Sequence, residues 1–173
     1  KWYFLFLTSE RYDFGIHVMK DLVKCLLELN ITISSCESFT GGLFASSLSS
    51  FAGVSQVYKG SIITYQNEVK ENVLGIDHEL IEKYGSVSEI VAIEMARSCL
   101  KLLKSDISVS FTGNAGPIPI ENKEVGLCYI AIIYKGYEEI IECRFKGSRN
   151  RIRRSAVNKA CRRILCIIQE KSL

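Results

Sequence analysis

Apolar residues recur at helical spacing in three long segments of the chain. Within residues 13–30, the apolar side chains that share one helical face are Ile16, Met19, Leu22, Val23, Leu26, Leu27 and Leu29. A second stripe occupies "GSVSEIVAIEMARSCLKLL", where a hydroxyl residue stands just before Glu89 in the manner of a helix cap. The third stripe runs from about residue 150 to 171 and contains Ala156, Ala160, Ile164, Ile167 and Ile168. The spacing predicts three amphipathic helices.

Shorter runs between these segments predict strands and small helices. Partly alternating, β-branched runs indicate strands at 31–34, 58–65 and 106–112. The runs "VGLCYIAIIY" and "YEEIIECRF", joined by Lys135-Gly136, indicate a hairpin over 125–134 and 137–145. Short helices are predicted at 43–50, 67–76 and 78–84, the second of them capped by Asn67 and stopped by Gly75.

Helices and strands therefore interleave along the chain. This alternation is typical of an α/β protein, and we predict a three-layer α/β/α fold with a mixed, mostly parallel sheet. A chain of 173 residues without repeats or linkers suits one domain. We assign residues 13–173 to that domain, with Asp13 as a possible cap of the first helix. Residues 1–12 are read as an amino-terminal extension of unknown role.

Composition limits the classes of function. A net charge of +3 argues weakly for nucleic acid, and the many arginines of the last helix are read mainly as its solvated face. Seven cysteines without a CxxC pair favour buried, reduced thiols in a cytoplasmic protein. The two histidines, His17 and His78, lie far from any Cys or acid cluster, so no metal site is expected. No apolar run reaches the roughly 18–20 residues that a membrane span needs.

The stretch "SSCESFTGGLFASSL", residues 34–48, is the first candidate for chemistry. Ser38 falls where a predicted strand gives way to a predicted helix, the place where open α/β sheets bind ligands. Gly41 and Gly42 allow a ligand to approach the backbone closely. The pattern is neither a P-loop nor a G-x-S-x-G elbow. It is compatible with a phosphate cradle, with a serine nucleophile, or with a turn in which Ser38 or Thr40 only caps the next helix.

A serine nucleophile needs a base, and Lys70 is the candidate. "TYQNEVK" places Lys70 in the first turn of a helix that follows a strand. A helix N-terminus disfavours a cation, which helps to keep the amine neutral. Glu68 or Glu71 would act in the opposite sense if either approached the amine. A lysine that is simply solvated in a first turn is the alternative.

Five blocks of sequence together resemble a known family. They are "ESFTGG" (37–42), "TYQNEVK" (64–70), "GSVSE" (85–89), "TGNAGP" (112–117) and "FKGSRNRIRR" (145–154), in that order. In this register the chain closely resembles the CinA carboxy-terminal domain family over about residues 20–168. Stand-alone members of that family are nicotinamide mononucleotide deamidases.

The resemblance implies an amidohydrolase that acts through a Ser–Lys pair, with Ser38 and Lys70 as the catalytic residues. The substrate would be a small pyridine nucleotide, converted without a metal or cofactor to nicotinate mononucleotide and ammonia. Backbone N–H groups from Phe39 to Gly42 would stabilise the oxyanion. The residues implied in substrate binding are Glu37, Thr40, Gly41, Gly42, Tyr65, Thr112 and Arg149. Arg149 would hold the phosphate, with Arg153 a second possibility, and family members commonly form homo-oligomers.

Three departures from the family pattern motivate an alternative. Phe39 replaces a cysteine beside the nucleophile, "IPIENK" replaces a Gly-rich run, and Ser148 replaces the acid that precedes Arg149. A catalytically weak nucleotide-binding module, or a competence- or DNA-damage-associated one, would keep the pocket and lose the chemistry. Glu37 either accepts a hydrogen bond from substrate or only shapes the turn.

Overall fold

The computed structural model describes residues 14–171. The predicted extension of residues 1–12 and the predicted cap Asp13 lie outside this range. The helices are α1 (Phe14–Leu29), α2 (Leu43–Ser49), α3 (Asn67–Leu74), α4 (His78–Tyr84), α5 (Glu89–Leu103) and α6 (Arg149–Lys171), with a 3-10 turn at Val54–Gln56. The strands are β1 (Ile33–Glu37), β2 (Tyr58–Ile63), β3 (Ile107–Gly113), β4 (Leu127–Tyr134) and β5 (Tyr137–Arg144).

The five strands form one mixed sheet in the order β2-β1-β3-β4-β5. β1 is the second strand in this order and pairs in parallel with the edge strand β2 on one side and with the central strand β3 on the other. β4 and β5 continue the sheet as the antiparallel hairpin that the sequence predicts. The prediction of a mixed sheet with a parallel core is confirmed.

Helices cover both faces of the sheet, which confirms the three-layer arrangement. α1, α2 and α6 pack on one face over a core that includes Leu22, Phe44 and Phe111. α3, α4 and α5 pack on the other face around Val91 and Met95. The stripe predicted for α6 is buried along its whole length. Among residues 14–171, no helix has the length and apolarity that crossing a membrane requires.

The strand predicted at 31–34 lies further along the chain than expected. β1 begins at Ile33 and continues to Glu37. All five of its residues are buried, including two serines and a glutamate. Hydrogen bonds satisfy these groups: Ser34 Oγ pairs with Ser105 Oγ at 2.7 Å, and Ser35 Oγ pairs with Ser61 Oγ. The hydropathy pattern treats such residues as loop, since buried polar side chains are rare unless they are paired.

For α3 and α5, the structure confirms two of the three predicted helix termini. Gly75 ends α3 in the left-handed conformation, with φ +68°, and Ser88 Oγ caps α5 by accepting Val91 N–H at 3.3 Å. Asn67 was expected to cap α3 but is its first helical residue. Gln66 occupies the cap position without a side-chain hydrogen bond.

Candidate active site

The predicted site residues converge at the carboxyl ends of the three parallel strands. β1 ends at Glu37 and is followed by Ser38, β2 is followed by Thr64 and Tyr65, and β3 carries Thr112 near its end. The chain passes from β1 outward to β2 and then back across β1 to β3. This reversal makes the end of β1 a topological switch point, where α/β folds open a crevice for ligands.

Ser38 and Lys70 meet at this edge of the sheet. Lys70 Nζ lies 3.3 Å from Ser38 Oγ and donates to the carbonyl oxygen of Thr64 at 2.9 Å. The N–H of Ser38 donates to the Phe111 carbonyl at 2.9 Å, which ties the residue after β1 to β3. The two side chains are therefore within the hydrogen-bond reach that a nucleophile and its base require.

Burial lowers the pKa of the Lys70 amine. Its side chain is 1% exposed, and desolvation disfavours the charged form. The groups that act against this shift are the Cys36 thiol and the Glu121 carboxylate, rather than Glu68 or Glu71 of the same helix. Burial raises the pKa of Cys36 to about 12, so the thiol is uncharged near neutral pH. Glu121 is the remaining charge that favours protonated Lys70.

The carboxylate of Glu37 holds the start of α2. It accepts the N–H groups of Gly42 at 3.0 Å, Phe44 at 3.1 Å and Ala45 at 2.9 Å, and the residue is fully buried. A carboxylate at a helix N-terminus satisfies donors that have no partner within the helix. Glu37 therefore shapes the turn, as one of its two predicted roles requires, and its contact with substrate stays a prediction.

Hydrogen bonds within this turn already occupy two of the N–H groups that were predicted to stabilise the oxyanion. Gly41 N–H donates to the Ser38 carbonyl at 3.0 Å, and Gly42 N–H is taken by Glu37. Neither Ser38 nor Thr40 caps α2, whose cap position is Gly42 with φ +88°. Within the described part of the chain, the N–H groups of Phe39 and Thr40 have no acceptor. These two groups are the donors that an anion beside Ser38 could use.

Arg149 and Tyr65 are in direct contact at the rim of the site. Arg149 Nη2 donates to the Tyr65 hydroxyl at 2.6 Å, and Nη1 donates to the carbonyl oxygen of Gly116. Tyr65 is 51% exposed, and its ring lies beside Gly41. The guanidinium is thus oriented without the acid that Ser148 replaces. The first turn of α6 joins the loop after β2 to the loop after β3.

Thr112 is buried at the end of β3, and its hydroxyl donates to the Ser86 carbonyl at 2.6 Å. Its role in substrate binding stays a prediction, since this contact leaves the hydroxyl oxygen able to accept. Ser86 also anchors the "IPIENK" loop, the segment that differs from the family pattern. Its N–H and hydroxyl donate to Glu121 at 2.9 and 2.6 Å. Lys123 Nζ completes the attachment by donating to the carbonyls of Tyr84 and Val87.

Phe39 does not crowd the nucleophile. Its side chain is 4% exposed and belongs to the hydrophobic core that the sheet forms with α1, α2 and α6. The bulk that distinguishes it from the family cysteine is therefore accommodated beneath the turn rather than above Ser38.

The sequence reasoning missed contributions that come from the backbone. The Thr64 carbonyl positions Lys70, and the Gly116 carbonyl positions Arg149. Every residue has such a carbonyl, so the sequence does not indicate which ones bind a side chain.

The sequence reasoning also missed Glu121, although its place in a loop that differs from the family pattern was a usable signal. A polar cavity of about 330 Å³ lies next to it, lined by Asn67, Ile81, Glu82, Lys83, Tyr84, Gly85, Glu121 and Lys123.

Comparison with known proteins shows the family to which the chain is similar. The sequence model of the family described as CinA C-terminal domain matches residues 16–168 of this chain. A protein of Bacillus subtilis (strain 168), provisionally named competence-damage inducible protein, is 42% identical over 154 residues, which are 89% of this chain and 37% of that protein. A similarly named protein of Listeria monocytogenes serotype 4a is 40% identical over 150 residues, 86% of this chain and 36% of its own. The chain thus spans little more than a third of the length of these relatives.

Solved structures share the fold. The competence/damage inducible protein CihA from Agrobacterium tumefaciens superposes with a TM-score of 0.85 at 30% identity, covering 92% of this chain and 98% of that one. The competence or damage-inducible protein from Enterobacter asburiae superposes with a TM-score of 0.86 at 26% identity, covering 91% and 99%.

Proposed function

Because this chain belongs to the CinA C-terminal domain family, we propose that it is an amidohydrolase that converts nicotinamide mononucleotide and water to nicotinate mononucleotide and ammonia. The observation that supports the chemistry most directly is the buried Lys70 amine 3.3 Å from Ser38 Oγ. The choice of nicotinamide mononucleotide follows from the family resemblance, since the geometry by itself supports acyl transfer at an amide or ester.

In the proposed reaction, neutral Lys70 accepts the proton of Ser38 as Oγ attacks the carboxamide carbon of the nicotinamide ring. The tetrahedral oxyanion forms near the free N–H groups of Phe39 and Thr40. Protonated Lys70 then gives its proton to the departing nitrogen, and the C–N bond breaks to release ammonia. Water, deprotonated by Lys70, cleaves the ester on Ser38 and returns the hydroxyl.

Several features favour this chemistry. The Thr64 carbonyl fixes the amine beside Ser38, and burial lowers the pKa of the amine, which favours the neutral form that a base requires. The two free N–H groups belong to a turn that Glu37 fixes through three hydrogen bonds, so they are preorganised. Preorganised donors act at the moment when charge develops, and losing one typically costs on the order of 100-fold in rate.

The phosphate of the substrate requires cationic partners at the rim. Arg149 is exposed and lies beside Tyr65, and residues 146–154 contain five cations without an acidic residue. The Arg149 guanidinium uses one N–H on Tyr65 and one on Gly116, which leaves three of its five N–H groups for an anion. We therefore assign the phosphate to Arg149.

An ammonia-release assay tests the proposal. Purified protein is incubated with nicotinamide mononucleotide, nicotinamide riboside, nicotinamide and the oxidised dinucleotide, and ammonia is measured with a coupled dehydrogenase. We expect the mononucleotide to be turned over fastest. Tight binding of the mononucleotide without release of ammonia would instead support a nucleotide-binding module.

A further inference from the structure

Arg153 reaches from α6 to the turn that carries Ser38. Its Nε and Nη2 both donate to the carbonyl oxygen of Thr40, at 3.2 and 2.5 Å. Its Nη1 donates to Asn150 Oδ1 at 3.1 Å. Because the guanidinium is a planar, rigid fork, these three contacts fix both its position and its plane.

The Thr40 carbonyl is the point at which α6 holds this turn. Within the turn, Gly41 N–H donates to the Ser38 carbonyl at 3.0 Å and Leu43 N–H donates to the Thr40 carbonyl at 3.1 Å. The Thr40 hydroxyl is buried without a hydrogen-bond partner among the described residues, so it gives the turn no second polar anchor.

Gly41 shows how closely Arg153 covers the turn. The φ of Gly41 is +57°, and a Cβ there would lie 3.6 Å from Arg153 Nη2. A Cβ at that distance would be in ordinary van der Waals contact with the guanidinium, so it is the positive φ, which strains any other residue, that favours glycine here. The "TGG" sequence therefore fits a turn that lies directly under an arginine.

We infer that Arg153 is a positioning residue that fixes the Ser38 turn, and with it the free N–H groups of Phe39 and Thr40. The inference rests on the proposed function, in which those N–H groups stabilise the oxyanion. The peptide between Thr40 and Gly41 carries both the carbonyl that Arg153 holds and the N–H that closes the turn onto the Ser38 carbonyl. Releasing this peptide would loosen the turn that holds the two donors in place. Such misplacement matters, because a shift of about 1 Å in a reacting group can cost about 100-fold in rate.

A phosphate-binding role for Arg153 makes a different prediction. A phosphate ligand contributes equally to ground and transition states, so its loss raises KM for the mononucleotide and leaves the riboside unaffected. A positioning residue contributes to the transition state, so its loss lowers kcat for both substrates. It also slows the reaction of Ser38 with an electrophile that contains no nucleotide.

The test compares Arg153→Gln and Arg153→Lys with Arg154→Gln, a control that removes the neighbouring, exposed arginine. Steady-state kinetics are measured with the mononucleotide and the riboside, and the rate of Ser38 labelling is measured with a small alkyl fluorophosphonate. For Arg153→Gln we expect kcat and the labelling rate to fall together by about 10- to 100-fold, with KM little changed. Arg153→Lys should recover part of the loss, since an ammonium can still donate to the Thr40 carbonyl.

Two results would overturn the inference. One is a raised KM for the mononucleotide with kcat and labelling at the wild-type level. The other is wild-type behaviour of Arg153→Gln in every readout. If Arg153→Gln does not fold, Arg153→Lys decides: a slower labelling rate at an unchanged Tm supports the inference, and a wild-type rate contradicts it. Wild-type protein that labels but releases no ammonia would refute the substrate assignment alone, whereas failure in both assays would refute the proposed function and this inference with it.

Discussion

Lys70→Met should remove a pH dependence of stability that originates in the buried amine. The pKa of Lys70 is lowered in the folded protein by burial, whereas in the unfolded chain it is near the ordinary value of about 10.4. Between these two values the unfolded chain binds a proton that the folded protein does not. The free energy of unfolding of the wild type therefore rises with pH across this window.

The size of the effect follows from a single proton. The slope contributed by Lys70 reaches at most about 1.4 kcal/mol per pH unit. It vanishes above about pH 10.4, where the amine is neutral in both states, and below the folded pKa, where it is charged in both. Methionine has a similar length and no ionisable group, so Lys70→Met retains the packing and loses the slope.

Urea denaturation between pH 7 and 10 provides the measurement. The free energy of unfolding of the wild type minus that of Lys70→Met should increase with pH. Lys20→Met, which removes an exposed lysine of α1, should keep the wild-type pH dependence. A difference between wild type and Lys70→Met that is flat or that falls as pH rises would show that the amine is not neutralised by folding, and the base would have to be sought elsewhere.

Three further predictions concern activity. Lys70→Arg keeps a cation that cannot release its proton near neutral pH, so ammonia release should fall by about 100- to 10,000-fold at every pH; substantial activity at pH 7 would mean that Lys70 only positions the substrate. Glu121→Gln removes the charge that favours protonated Lys70, so the rising limb of the kcat/KM–pH profile should move to lower pH, and an unmoved or raised midpoint would refute the electrostatic coupling. Arg149→Ala should raise KM for the mononucleotide more than for the riboside, and equal losses for both substrates would exclude Arg149 as the phosphate anchor.

The fold was largely predictable because its signals are local and periodic. The stripe of α6, the glycine stop at Gly75 and the cap at Ser88 each depend on nearby residues, and the structure has all three. The prediction ended β1 too early because Ser35 and Glu37 read as loop until their hydrogen-bond partners are known.

The site was predictable only in its side chains. The five sequence blocks identify Ser38 and Lys70 as candidates, but neither spacing nor composition indicates the 3.3 Å approach, which depends on where the fold places α3 relative to the end of β1. The Thr64 carbonyl and the contact from Arg153 to the Thr40 carbonyl are backbone interactions across the fold. The pattern of side chains along the sequence does not indicate these interactions, so only the structure reveals them.

Ser38→Ala tests the central claim most directly. The variant is compared with Ser46→Ala, which removes an exposed hydroxyl from α2, in ammonia release from nicotinamide mononucleotide, binding of the mononucleotide and thermal unfolding. If Ser38 is the nucleophile, its loss should lower kcat by at least about 10,000-fold while Tm and binding stay near wild type, and Ser46→Ala should be fully active. Turnover by Ser38→Ala near the wild-type rate would contradict the assignment of Ser38 as the nucleophile.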